Sequence, residues 1–278
     1  MIRVLYMSDL HIEMTRRRRS LVDFCRGRAT PQLGPALKDV LPPDLIVLAG
    51  DIHNGLLSVA YADSLAKRFQ VPVVLVAGNH EYYFQNLPEA RQLMAKAASA
   101  TKGRVRFLDN EMFTLEHEGE KLHVLGSTLW TDFNLNHDVP LSNAHALGRM
   151  NDYRLINDGT ARLSPKHTMG RHFAARAWLH TSLDRLVAED PTTPRLIVTH
   201  HAPGAAFLGS RNGAIGPAYA SDLLPEFEPY APAFWIHGHT HYRHETYTHG
   251  FWVLSAPYGY KHERHAGGGA YQPGILEI

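Results

Sequence analysis

The chain has 278 residues, which is enough for one large or two small domains with a well-buried core. Its 28 basic and 27 acidic side chains nearly cancel, so no overall charge marks it as a nucleic-acid-binding or membrane-binding protein. The single cysteine, Cys25, excludes an internal disulfide bond, and no run approaches the roughly 18 apolar residues of a membrane span. Because the N-terminal apolar stretch is also too short for a signal peptide, we expect a cytoplasmic protein without membrane contact.

Short apolar runs rich in Val, Ile and Leu recur along the chain and predict strands that are buried on both faces. The predicted strands cover residues 2–9, 44–51, 71–80, 121–130, 195–201, 231–239, 251–257 and 274–278. Helical periodicity between some of these runs predicts helices at 56–69, 88–99 and 168–189. The alternation of strand and helix is typical of an α/β fold, and the strand-rich last third indicates two packed sheets with helices outside.

Residues 132–170 lack this regularity and are rich in Asn, Asp, His and Gly. The segment has too little apolar periodicity for a core of its own, so we predict a loop-rich insertion in one domain that spans residues 1–278. Trp130, Asn151, Asp152, Tyr153 and Arg154 lie in or beside it and are candidates for the lining of a substrate cleft. Trp130 and Tyr153 are equally well explained as packing anchors for a long loop.

Polar residues of three kinds, Asp, Asn and His, follow five of the predicted strands. In open α/β sheets ligands bind outside the carboxyl ends of the strands, so side chains from several strand ends can meet there. Carboxylate, imidazole and amide oxygen donors suit divalent Mn, Fe, Zn or Mg, and the 19 histidines of the chain point in the same direction. The candidate ligands are Asp9, His11, Asp51, Asn79, His200, His239 and His241.

The number of candidate ligands indicates more than one metal ion. Seven donors are too many for a single tetrahedral ion, but they suit two ions that share a carboxylate. We interpret His237, which precedes Gly238 in the stretch IHGHTH, as a structural residue rather than a ligand.

The candidates fall in five blocks that span residues 9–241. In this order the blocks resemble those of the calcineurin-like metallophosphoesterase superfamily: Asp9-x-His11, Gly50-Asp51, Gly78-Asn79-His80-Glu81, His200 and Gly238-His239-x-His241. One such block is a weak signal, whereas all five in order are a strong one. The resemblance implies four layers, in which two facing mixed β-sheets lie between helices, and it implies hydrolysis of phosphate esters at a site with two metal ions.

The resemblance also implies a role for each matching residue. Asp51 would bridge the two ions, and a hydroxide activated by both ions would attack the phosphorus. His80 would not be a ligand; it would face the phosphate and act as the general acid that protonates the leaving oxygen. The first ion would be held by Asp9, His11 and His241, and the second by Asn79, His200 and His239.

The second block departs from the protein-phosphatase branch of the superfamily. That branch reads Gly-Asp-x-x-Asp-Arg-Gly, in which the later Asp supports the catalytic His and the Arg binds phosphate. This chain has Asn54, Gly55 and Leu56 at the last three positions. We therefore expect a phosphodiesterase rather than a Ser/Thr protein phosphatase, with His80 oriented by Asn54, by a backbone carbonyl or by no partner that the sequence identifies.

Two other functions stay open at this stage. The run Arg16–Arg19 follows the first block closely and would suit a nuclease that binds a nucleic-acid backbone, although the balanced charge favours a solvated loop. A non-catalytic metal-binding scaffold is disfavoured, since every ligand position of the superfamily is filled. The expected partner is a phosphate-ester substrate, and nothing in the sequence indicates an oligomeric state.

Overall fold

Two mixed β-sheets face each other in the computed structural model, which describes residues 1–14, 37, 40–231, 233–264 and 271–278. The strands are β1 (Arg3–Met7), β2 (Leu45–Ala49), β3 (Val73–Val76), β4 (Val105–Phe107), β5 (Glu111–His117), β6 (Glu120–Ser127), β7 (Asn157–Asp158), β8 (Ala161–Arg162), β9 (Arg195–Thr199), β10 (Ala233–Ile236), β11 (His244–Thr248), β12 (Phe251–Ser255) and β13 (Gly274–Glu277). The α-helices are α1 (Leu56–Phe69), α2 (Leu87–Ala100), α3 (Val139–Arg149), α4 (Asp152–Leu155), α5 (Pro165–Glu189), α6 (Leu224–Phe227) and α7 (Lys261–Arg264). Short 3₁₀ helices cover Ile12–Met14, His80–Tyr82, Ala205–Phe207, Gly209–Arg211, Gly213–Ala218 and Glu228–Tyr230.

The first sheet has the strand order β13-β1-β2-β3-β4, and the second has the order β11-β12-β10-β9-β6-β5. In the first sheet β1 to β4 run parallel, and β13 is antiparallel to β1. In the second sheet β6, β9, β10 and β12 run parallel, with β5 and β11 antiparallel at the two edges. Since Ala49 pairs with Val76 and Ile236 pairs with Val198, the carboxyl ends of neighbouring parallel strands lie level.

Apolar side chains form one core layer between the sheets and one on the outer face of each sheet. Because alternate residues of a strand point to opposite faces, Val4 of β1 and Val198 of β9 lie between the sheets, whereas Leu5 packs with α1 and α2. Ile197 packs with Leu183 of α5 on the outer face of the second sheet. The central strands are buried on both faces, which explains their continuous apolar runs. The expected four-layer α/β fold, with two facing mixed sheets flanked by helices, is confirmed.

The segment 132–170 is more regular than the loop-rich insertion predicted for it. It contains α3, α4 and the β7–β8 hairpin, and α5 begins near its end. Ala146, Tyr153 and Ile156 are buried in the core on the outer face of the first sheet. Sequence periodicity missed these elements because they are short and pack on that core instead of forming their own.

The described helices fall short of the requirements of a bilayer span. Across the parts of the chain that the structure describes, none combines the length and the apolar character that crossing a membrane requires.

Candidate metal centre

The loops after β1, β2, β3, β9 and β10 bring the seven candidate ligands together at the carboxyl ends of the strands. The backbone turns sharply in these loops. Positive φ angles between 45° and 66° are found at Asp9, His11, Asp51, His239 and His241. This left-handed region is unfavourable for residues other than glycine, and such strain persists where the surrounding structure holds a functional site in place.

Asp9, His11 and His241 form the first cluster, in which one donor atom from each side chain lies within 4.8 Å of the others. The Nε2 atoms of His11 and His241 are 3.0 Å apart, and His241 Nε2 lies 3.4 Å from Asp9 Oδ1. The backbone N–H of His239 donates to the same Asp9 oxygen at 2.9 Å. This hydrogen bond links the first cluster to the loop that carries a ligand of the second.

Asp51, His200 and His239 form the second cluster, with the same spacing of donor atoms. His200 Nε2 lies 3.1 Å from both His239 Nδ1 and Asn79 Oδ1. Asp51 Oδ1 faces this cluster at 3.5 Å from His200 Nε2. The other oxygen of Asp51, Oδ2, lies 3.9 Å from His11 Nε2 in the first cluster. Asp51, a member of the second cluster, therefore also approaches the first.

The donor set fits divalent cations better than it fits a hydrogen-bond network. Asp9 Oδ2 and His239 Nε2 are buried, and neither has a hydrogen-bond partner among the described residues. A buried polar atom without a partner costs about 1–3 kcal/mol, so such atoms indicate an ion or another ligand at the site. Imidazole nitrogen, carboxylate oxygen and amide oxygen are together a donor set for first-row divalent metals.

Gly50 and Gly78 leave the space that the second cluster occupies. A Cβ atom on Gly78 would lie 2.2 Å from Asp51 Oδ1, and one on Gly50 would lie 2.4 Å from His200 Nδ1. A side chain at either position would displace a candidate ligand. This is the physical reason for the glycines that precede Asp51 and Asn79.

His80 lies beside the clusters, and a hydrogen bond at Nδ1 orients its ring. Its Nδ1–H donates to Glu13 Oε1 at 2.8 Å. Its Nε2 lies 3.9 Å from Asp51 Oδ2 and 3.4 Å from the hydroxyl of Tyr260. Asn54, which the sequence offered as a support for the ring, donates instead to the backbone carbonyl of His80 at 2.7 Å.

His80 and His239 have opposite pKa shifts. Burial lowers the pKa of His80, but the carboxylates of Asp51 and Glu13 outweigh burial and raise the pKa to about 9. Burial and the neighbouring imidazole of His201 hold the pKa of His239 well below its usual value. These pKa shifts favour the cationic form of His80 and the neutral form of His239, and the neutral form of imidazole is the one that binds a metal.

Two carboxylates outside the candidate ligand set accept hydrogen bonds from candidate ligands, on the side away from the clusters. Asp152 of α4 accepts from Asn79 Nδ2 at 2.7 Å, which leaves Asn79 Oδ1 facing the second cluster. Glu263 of α7 accepts from His241 Nδ1 at 2.6 Å, which leaves Nε2 facing the first. The sequence singled out Asp152 only as a residue of the insertion and gave no signal for Glu263.

Glu81 links the loops that follow β2 and β3. Its buried carboxylate accepts from the backbone N–H groups of Asp51 at 2.9 Å, Ile52 at 2.8 Å and Gly78 at 2.7 Å. These hydrogen bonds fix the backbone of the two loops that carry Asp51 and Asn79. Glu81 belongs to the third sequence block, but the block alone did not indicate this role.

The cleft above the clusters carries positive charge at its rim. Arg149 and Arg211 line it together with Tyr260. Arg211 is ion-paired with Glu263 and lies 5.5 Å above the centre of the Tyr219 ring. These are groups that can contact an anionic substrate.

One histidine singled out in the sequence, His237, belongs to neither cluster. His237 is buried, and its Nε2 lies 2.9 Å from His244 Nε2, in keeping with the structural role predicted for it. Arg16–Arg19 lie outside the described residues.

A profile described as calcineurin-like phosphoesterase matches residues 2–243. The chain belongs to the calcineurin-like phosphoesterase family. This family hydrolyses phosphate esters with divalent metal ions, so the protein is a metal-dependent hydrolase of the family, with candidate His/Asp groups for metal binding. A comparison with curated proteins found no match.

Solved structures share the fold. The phosphopantetheinyl hydrolase (PptH) from Mycobacterium tuberculosis is 17% identical, with a TM-score of 0.71 over 98% of this chain and 95% of that chain. The protein TT1561 of Thermus thermophilus is 13% identical over 92% of this chain and 89% of that chain. Its TM-score of 0.48 is too low to support an inference. At this identity the first similarity shows the fold alone.

Proposed function

We propose that the protein is a phosphodiesterase that works with two divalent metal ions and uses His80 as its general acid. The observation that supports this most directly is the position of Asp51, whose two carboxylate oxygens each face one cluster of candidate ligands. A carboxylate in that position suits a bridge between two ions. Mn, Fe, Zn and Mg are all compatible with the donor set.

The ligand assignment follows the two clusters. Bound ions would supply Lewis-acid activation of a water molecule and neutralise charge on the phosphoryl oxygens. Asp51 would contact both ions through its two oxygens. The first ion would be held by Asp9, His11 and His241, and the second by Asn79, His200 and His239.

His80 supplies the proton for the leaving group. Its Nε2 lies toward Asp51 and Tyr260 at the edge of the cleft. As the P–O bond breaks, the leaving oxygen takes the bonding electron pair and the proton from Nε2, while a water oxygen forms the new bond to phosphorus and loses a proton to solvent. The imidazole is left neutral and regains its proton from solvent. Arg149 and Arg211 bind the anionic substrate at the rim.

Charge in the cleft favours a diester over a monoester. Arg211 is ion-paired with Glu263, and Gly55 occupies the position at which protein phosphatases have a phosphate-binding arginine. A phosphodiester carries one negative charge, whereas a monoester carries about two at neutral pH. The diester therefore needs fewer fixed cations.

Hydrolysis of bis(4-nitrophenyl) phosphate and of 4-nitrophenyl phosphate, with Mn or with a chelator, tests the proposal. We expect Mn-dependent activity that the chelator removes, with the higher kcat/KM for the diester. Asp51→Ala should lose bound metal and activity together, while Asp184→Ala, at an exposed carboxylate of α5, should keep both. A higher kcat/KM for the monoester would reject the diesterase assignment, and activity that resists the chelator would reject metal dependence.

The nuclease and scaffold hypotheses have no supporting observation. Arg16–Arg19, on which the nuclease hypothesis depends, lie outside the described residues. All seven positions that correspond to metal ligands in the family carry a ligand-type residue. A non-catalytic scaffold would not need to keep all of them. Cleavage of DNA or RNA by the metal-loaded protein would favour the nuclease.

A further inference from the structure

We propose that Glu13 is the positioning residue for His80 and that it affects turnover through the His80 ring. This inference rests on the proposed function, because it presupposes that His80 donates a proton. Glu13 lies in the 3₁₀ helix Ile12–Met14, after β1, whereas His80 follows β3. The two residues therefore come from separate segments of the chain and meet only in the fold.

The carboxylate of Glu13 holds two imidazole rings at once. Its Oε1 accepts from Nδ1–H of His80 at 2.8 Å and from Nδ1–H of His11 at 3.2 Å. The side chain is only 13% exposed, and Oε2 is buried without a hydrogen-bond partner among the described residues. Hydrogen bonds to a carboxylate in such surroundings are stronger than those between neutral, solvated groups.

Ring contacts restrict the plane of the His80 imidazole but do not decide which edge faces the cleft. The ring centre lies 4.2 Å from that of Tyr83 and 4.4 Å from that of His11. A half-turn about the bond from Cβ to the ring keeps the same plane and exchanges Nε2 for a carbon atom. The hydrogen bond from Nδ1 to Glu13 distinguishes the two orientations, because only one of them points Nδ1 at the carboxylate.

Loss of this bond should lower the fraction of rings that present Nε2–H to the leaving oxygen. The chemical step stays the same: the leaving oxygen keeps the electron pair of the broken P–O bond and takes the Nε2 proton. A leaving group that is stable as an anion, such as 4-nitrophenolate, needs this proton less than phenolate does. A positioning role therefore predicts a defect that depends on the leaving group.

Two diesters separate positioning from general damage to the fold: methyl 4-nitrophenyl phosphate and methyl phenyl phosphate. We would measure kcat/KM at saturating Mn for the wild type, Glu13→Ala, Glu13→Gln, His80→Ala and the double variant Glu13→Ala/His80→Ala. Bound metal and the melting temperature are measured for each protein. Glu116→Ala, at an exposed glutamate of β5, is the matched control.

His80→Ala should lose about 10²–10⁴-fold on the phenyl ester, the usual contribution of a general acid. Glu13→Ala should lose about 10–100-fold on that ester, the usual effect of an orienting partner, and much less on the nitrophenyl ester. Glu13→Gln keeps an acceptor oxygen and should lose less than Glu13→Ala, which also keeps the test available if the alanine variant does not fold. The double variant should be no slower than His80→Ala alone.

Equal losses on the two esters, or losses that add in the double variant, would show that Glu13 does not act through His80 and would overturn the inference. Reduced metal content in Glu13→Ala, or a defect that disappears at higher Mn, would assign its effect to His11 and would overturn the inference as well. If His80→Ala loses the same factor in kcat/KM on both esters, His80 is not the general acid. The general-acid part of the proposed function is then wrong, and the inference about Glu13 is wrong with it.

Discussion

Asp152 and Glu263 form hydrogen bonds with two candidate ligands, on the side that faces away from the clusters. Asp152 binds the amide nitrogen of Asn79, and Glu263 binds Nδ1 of His241. Each contact fixes the rotation of the ligand side chain so that its donor atom faces a cluster. Removal of such outer partners lowers metal affinity by about 10–100-fold in other metal sites, so we expect a similar effect of both residues here.

Asp152→Ala tests this support at the level of one residue. The variant should need about 10–100-fold more Mn for half-maximal activity, because the amide of Asn79 keeps only its hydrogen bond to the Tyr83 hydroxyl, at 3.1 Å, to hold its orientation. Activity measured as a function of Mn concentration gives this value. Asp138→Ala, at the exposed N-cap of α3 in the same segment, is the control. An unchanged Mn dependence in Asp152→Ala would contradict the role.

The sequence predicted which side chains meet at the strand ends, because each candidate ligand follows a strand within a short block. The supporting carboxylates could not be found in this way, because Asp152 and Glu263 lie outside the five blocks and meet them only in the fold. Glu13 is close to the first block, yet nothing in the sequence shows that its carboxylate reaches His80. Asn54, the sequence-based candidate for that contact, binds the backbone instead of the ring.

At the scale of secondary-structure elements, glycine has different effects at a strand end and inside a helix. Gly78 follows β3, where an added Cβ would lie 2.2 Å from Asp51 Oδ1 and 2.7 Å from the Asp51 backbone nitrogen. Gly170 lies within α5, where an added Cβ would meet nothing within 4 Å. The first glycine is required by close packing, and the second is not.

Gly78→Ala should therefore lower the free energy of unfolding by about 1–3 kcal/mol, the usual effect of overpacking, and should weaken metal binding. Gly170→Ala, the matched control, should raise the free energy of unfolding by up to about 1 kcal/mol because alanine favours a helix. Urea unfolding of both variants measures these changes. Equal stability of Gly78→Ala and the wild type would contradict the packing at this strand end.

Central strands were predictable from the sequence, whereas three edge strands were not. β4, β5 and β11 each lie at the edge of a sheet. In β4, Val105 and Phe107 are buried and Arg106 between them is exposed, so the segment lacks the continuous apolar run that identified the others. The amphipathic helices α1 and α2 were predicted to within a residue at each end, because one face of each packs on the first sheet.

At the scale of the whole molecule, the candidate metal centre joins the two sheets. Asp9, Asp51 and Asn79 follow strands of the first sheet, whereas His200 and His239 follow strands of the second. Ions held by both sets would cross-link the layers of the fold. Metal binding should therefore stabilise the whole protein rather than one loop.

Mn should raise the melting temperature relative to the same protein in chelator. Saturation at 100 times the Kd adds about 2.7 kcal/mol to the free energy of unfolding, because only the folded state assembles the site. Differential scanning calorimetry measures the shift in wild type and in Asp51→Ala, in which it should be much smaller. Identical melting temperatures of the wild type with and without Mn would contradict a metal site shared by the two sheets.

Anomalous diffraction from crystals of the Mn-loaded protein tests most directly whether five strand ends hold a pair of metal ions. We expect two anomalous peaks about 3.5–4 Å apart, the spacing of two-metal hydrolytic sites, on either side of the Asp51 carboxylate. One peak should lie beside His11 and the other beside His200. A single peak at full Mn occupancy, or peaks remote from Asp51, would contradict the account.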